Sequence, residues 1–110
     1  MVEALWSVQF RSNTGAFGAG VVILENGRVF GGDAQYFYLG TYEVQDDTIK
    51  AQVDVTHYAG QPFAIFSQKK TVRIELSGPI QREGMRLMGQ VSDQSTLRIE
   101  AICVRRAELP

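Results

Sequence analysis

The stretch TIKAQVDVTHY, residues 48–58, alternates apolar and polar side chains almost without a break. Ile49, Ala51, Val53, Val55 and His57 fall on one face, and Lys50, Gln52, Asp54 and Thr56 on the other. Period two is the repeat of an extended strand, whose successive side chains leave opposite faces, so this segment has one dry side and one wet side. The repeat returns in LWSVQFR through Trp6, Val8 and Phe10, in TVRIEL through Val72, Ile74 and Leu76, and in LRIEA through Leu97, Ile99 and Ala101. A chain patterned this way along its length is all-β.

Turn signals break the alternation at regular intervals. Asn26-Gly27 is the strongest, because a two-residue hairpin turn needs positive φ at its centre. Weaker signals lie at 13–15, 31–33, 45–47, 82–84 and 92–95. They delimit about eight strands, at 4–12, 17–24, 28–31, 35–45, 48–58, 70–78, 85–92 and 95–106. Pro62 suits the first turn of a helix and is followed by Phe63, Ile65 and Phe66, so one short helix is expected at 62–67. Residues 1–110 form a single domain. Consecutive hairpins favour an eight-stranded, antiparallel, up-and-down barrel, since closure removes exposed edges. A sandwich of two sheets is the other solution. Alternation places Trp6, Tyr38, Tyr42 and His57 in the barrel interior.

Composition narrows the chemistry. With 45% apolar and 21% charged residues the chain is globular rather than disordered. A net charge of −1, with its Lys and Arg dispersed, offers no basic stripe to neutralise phosphates, so direct nucleic-acid binding is not expected. The longest nearly apolar run, Ala16 to Leu24, is nine residues, against about 20 for a membrane-spanning helix. MVEALWSVQF has no basic segment before its alternation and reads as a strand rather than a signal peptide, which suggests a cytoplasmic protein. The single cysteine, Cys103, and the single histidine, His57, provide no zinc-ligand set, and neither a metal nor a cofactor is expected. The glycines of GAFGAG are followed by a strand and a turn, without the helix N-terminus a phosphate loop requires.

Three functional readings remain. Glu43, Asp46 and Asp47 form an acidic hairpin tip, which turn chemistry explains without any function or which suits a basic protein partner. An eight-stranded barrel is either filled by side chains or holds one small apolar ligand. Catalysis would need His57 with Tyr58 or Asp54, which project away from its face, so an enzyme is not expected. In the last strand Ile102 and Val104 flank Cys103 and make both faces apolar, marking either a homodimer contact or a surface covered by the chain's own termini.

Trp6 and an arginine near the C-terminus, Arg105 or Arg106, suit a stack across barrel closure, a partial similarity to lipocalins. More broadly, W-x-V-x-F in the first strand, the G-x-G-V strand, the Asn-Gly hairpin, Gly31-Gly32-Asp33 and Y-x-G-x-Y at 38–42 resemble the GrlR family of type III secretion negative regulators. The resemblance runs over essentially the whole chain. It implies a lipocalin-like, calycin-type barrel that forms a homodimer and represses transcription by sequestering a helix-turn-helix activator. In that family an acidic hairpin makes the contact, and VQDD at 44–47 is its counterpart, with only Asp46 and Asp47 carried over.

Overall fold

The computed structural model describes residues 2–62, 66 and 69–110. Eight antiparallel strands run in chain order: β1 (Ala4–Ser12), β2 (Gly15–Glu25), β3 (Arg28–Gly32), β4 (Tyr36–Gln45), β5 (Thr48–His57), β6 (Thr71–Pro79), β7 (Gly84–Val91) and β8 (Gln94–Ala107). Each pairs with the next, and β1 pairs with β8, so the sheet closes on itself as an up-and-down barrel. The two-sheet sandwich is thereby excluded. The short helix expected at 62–67 lies for the most part outside the described residues.

Turn chemistry sets the register. Asn26 and Gly27 take φ of 51° and 77°, the positive pair that matches the right-handed twist of the flanking strands. Asp46 takes φ of 56° and closes the β4–β5 hairpin so that Glu43 stands opposite Lys50 and Gln45 opposite Thr48. Because the side-chain period is two, this register commits every odd residue of β5 from Ile49 to Val55 to the interior. Those residues are buried, as are Val72, Ile74 and Leu76 of β6 and Leu97, Ile99, Ala101 and Cys103 of β8.

Closing the sheet forces close backbone approaches. A Cβ added to Gly89 would lie 1.6 Å from the Glu75 carbonyl oxygen, and one added to Gly40 would lie 1.9 Å from that of Gln52. These glycines therefore serve strand coiling, and the space their missing side chains suggest is taken by neighbouring backbone.

Candidate functional site

The barrel interior is packed. Trp6 and Tyr38 are fully buried there, and Phe10 meets Tyr38 edge-to-face with centroids 5.6 Å apart. A wholly apolar void of about 40 Å³ remains among Val8, Val22, Val53, Ile74 and their neighbours. Small-molecule pockets occupy roughly 300–1,000 Å³. Trp6 Nε1 donates to the Val2 carbonyl at 2.8 Å, and the Arg105 guanidinium lies 5.8 Å from its ring centre. The expected stack at barrel closure is formed, with Arg105 rather than Arg106, which instead donates to Ser7 Oγ at 2.9 Å.

At the opposite end Gly31-Gly32-Asp33 leads into the β3–β4 turn. Asp33 Oδ1 accepts the amides of Gln35 and Tyr36 at 2.8 and 2.7 Å, while Oδ2 accepts the Tyr38 hydroxyl. The carboxylate thus shapes the turn and satisfies a buried phenol. Burial first, and then the Asp33 hydrogen bond, push the Tyr38 phenol far above its ordinary value, keeping it a neutral donor. The Tyr58 hydroxyl donates to the Asp33 carbonyl at 2.5 Å.

His57 is a correction to the interior placement. It is half-buried at the rim, where β5 ends, with Nε2 2.8 Å from the Gly60 carbonyl and its ring 5.3 Å from that of Tyr36. Neither suggested catalytic partner serves it: the Tyr58 hydroxyl is held by Asp33, and Asp54 forms a two-pronged pair with Arg73 at 2.8 and 3.1 Å. The Arg73 guanidinium holds the Asp54 carboxyl below the usual range. Cys103 points inward, and burial pushes its thiol up to about 11, so it is a poor nucleophile.

The acidic hairpin projects at the Trp6 end of the barrel. Glu43, Asp46 and Asp47 are all exposed, and so is Val44, at 45%, although its strand position is an inward one. Val44 is open because β4 runs past β3, whose pairing with it ends at Thr41, while Ile49 opposite it on β5 is buried; two residues earlier, Tyr42 is only partly buried against the core. The tip is anchored from below by Ile80, whose amide donates to the Asp47 carbonyl at 2.7 Å.

Two further features lie on the outer wall. Across β2, β3 and β4 the register aligns Ile23 with Phe30 and Leu39, and Val21 with Gly32 and Phe37. This apolar surface leaves Leu39 55% exposed. Ile102 and Val104, the expected dimer residues, sit half-buried on the same outer wall, opposite Gln9 and Ser7 of β1. The second feature is a trough of about 490 Å³ across β4–β7. One of its walls is the rung Thr41–Gln52–Glu75–Gln90, and the other is Glu43–Lys50–Ser77–Met88.

These three surfaces differ in how visible they are in sequence. The hairpin tip can be read from a local run of acidic residues. The trough and the apolar wall join residues from three or four strands, and a long connection of 58–70 hides the β5–β6 register on which the trough depends. Among the described residues no three His, Cys, Asp or Glu side chains are placed to hold a metal ion. No protein-family model and no curated protein matches the chain.

Proposed function

We propose that this chain is a non-enzymatic regulatory module that binds another protein through the outside of its barrel, with the β4–β5 tip as the contact. The observation that carries this reading is the projecting hairpin itself, which presents exposed Val44 among the carboxylates of Glu43, Asp46 and Asp47. An exposed aliphatic anchor ringed by charge of one sign suits a partner surface that is basic with an apolar centre. The filled interior supports the same choice, since it leaves the outer wall as the surface available for recognition.

The GrlR-like sequence features supply the partner class: the basic face of a helix-turn-helix transcriptional activator, held away from its DNA. We place the protein in the cytoplasm. Among the described residues no helix is long and apolar enough to cross a membrane. The outer wall carries ion pairs such as Asp54–Arg73 and Arg86–Glu100, where a lipid-facing barrel needs an apolar band. The module is a homodimer in this reading, its subunits meeting through the apolar wall of β2–β4 and extending toward Ile102 and Val104.

Affinity capture from the native host tests the contact. Wild type should recover a basic partner that the Asp46→Lys/Asp47→Lys variant loses at least tenfold, while both melt alike. The same partner recovered equally by both proteins refutes the hairpin contact. Light scattering tests the dimer: Leu39→Glu should halve the wild-type mass, and a wild-type monomer would refute it.

A further inference from the structure

The trough across β4–β7 has a chemistry distinct from that of the hairpin tip. Glu75 is the centre of one wall, with Gln52 opposite it on β5 and Gln90 opposite it on β7. The neighbouring carboxylates on this outer wall are engaged, Asp54 by Arg73 and Glu100 by Arg86. Arg73, two residues from Glu75 on the same strand, has its guanidinium on Asp54 and acts on Glu75 through its charge alone. Glu75, Gln52 and Gln90 make no side-chain hydrogen bond or ion pair among the described residues, so the oxygens of a carboxylate flanked by amides are left open to a ligand. On the other wall Met88 is 57% exposed, and Lys50 stands opposite Glu43 in the register. The floor is the backbone of Ala51, Leu76 and Gly89.

The dimensions select the occupant. Walls two residues apart on a strand stand about 7 Å from each other, and four strands span about 14 Å. A helix, about 10–12 Å across with its side chains, is too wide to enter, whereas about four residues of extended chain match the length. Guanidinium has five donors in a planar fork: two bind a carboxylate side by side, and the remainder suit amide oxygens on either flank. Its aliphatic stem is covered by a thioether such as Met88.

We infer that the trough seats an extended, arginine-bearing segment of a protein partner, with the guanidinium on Glu75 between Gln52 and Gln90 and its stem against Met88. The class of occupant rests on the protein-binding reading above, but the seat does not require the hairpin tip.

The test is a titration of the ¹⁵N-labelled full chain with the acetylated, amidated peptide Ser-Leu-Arg-Leu-Ser and with its citrulline counterpart, which keeps the shape and removes the charge. The arginine peptide should shift the amides of Ala51, Leu76 and Gly89. Glu75→Gln, and citrulline with wild type, should each weaken binding at least tenfold, and Met88→Ala about threefold. Asp46→Lys/Asp47→Lys should stay within about threefold of wild type. Citrulline binding as tightly as arginine, equal affinity in Glu75→Gln, or no shifts at millimolar peptide overturns the inference. Shifts confined to residues 43–48 and lost only in the hairpin variant also overturn it, while leaving the hairpin contact standing. Capture of a host protein is a separate readout, so failure of one does not imply failure of the other.

Discussion

Replacing Asp33 with alanine should remove far more stability than a half-exposed loop carboxylate ordinarily contributes. Three donors converge on this side chain: the amides of Gln35 and Tyr36 and the buried hydroxyl of Tyr38. Stranding a buried hydroxyl costs about 1–3 kcal/mol. Losing a side-chain cap on turn amides costs about 1 kcal/mol more, up to 2. The expected total is about 2–5 kcal/mol, a large part of the roughly 5–15 kcal/mol available to a domain of this size. Tyr38→Phe, which removes the donor with the acceptor still held by two amides, should cost only about 1 kcal/mol. In the double variant no hydroxyl is stranded, so the two effects should fall short of additivity by that stranding cost, about 1–3 kcal/mol. Urea unfolding followed by circular dichroism, with all four proteins extrapolated to water, measures the cycle. Additivity within about 0.3 kcal/mol, or a loss below 1 kcal/mol for Asp33→Ala, would refute this account of the turn.

Other expectations follow from the same geometry. Gly89→Ala places a methyl group 1.6 Å from the Glu75 carbonyl and should cost at least about 2–3 kcal/mol, seen as a large drop in Tm. Gly84→Ala, with its nearest atom at 3.5 Å, should melt within a few degrees of wild type; equal melting of the two variants would count against the close approach. Stability should also fall on alkalinisation. Burial raises the Cys103 thiol from 9.0 to about 11, so between those values the unfolded chain loses a proton that the folded chain keeps. The contribution is full below pH 9 and lost through pH 11, about 2–3 kcal/mol at most, and Cys103→Ala should flatten that slope between pH 9 and 10, above which the raised Tyr38 phenol adds a fall of its own. An unaltered slope in the variant would mean the thiol titrates alike in both states.

The fold was largely legible because its signals are local. Alternation in residues 48–58 and the Asn26-Gly27 turn follow directly from backbone sterics, and the observed strands end within two residues of those expected. Side-chain placement failed where a strand runs past the barrel. His57 and Val44 occupy inward positions in the alternation, yet both are more open than their buried cross-strand partners Tyr36 and Ile49, and periodicity carries no information about how far each neighbouring strand extends. The Asp33–Tyr38 bond was within reach of sequence: an aspartate at a glycine turn, five residues before an inward tyrosine, places an acceptor near a phenol that must be satisfied once buried. Whether the barrel was hollow depended on how Trp6, Phe10 and Tyr38 pack against one another, which no linear pattern encodes. Glu75 was unremarkable in sequence because its setting between Gln52 and Gln90 exists only after three strands take their register.

The central claim is that recognition lies outside this barrel and not within it. The most direct measurement is the dissociation constant of the captured partner, determined calorimetrically for wild type, Val53→Ala and Asp46→Lys/Asp47→Lys. Val53→Ala enlarges the interior without touching the outer wall, and the account predicts affinity within about twofold of wild type for it, with at least a tenfold loss for the hairpin variant. A tenfold loss from Val53→Ala, with the hairpin variant binding as wild type, would contradict it.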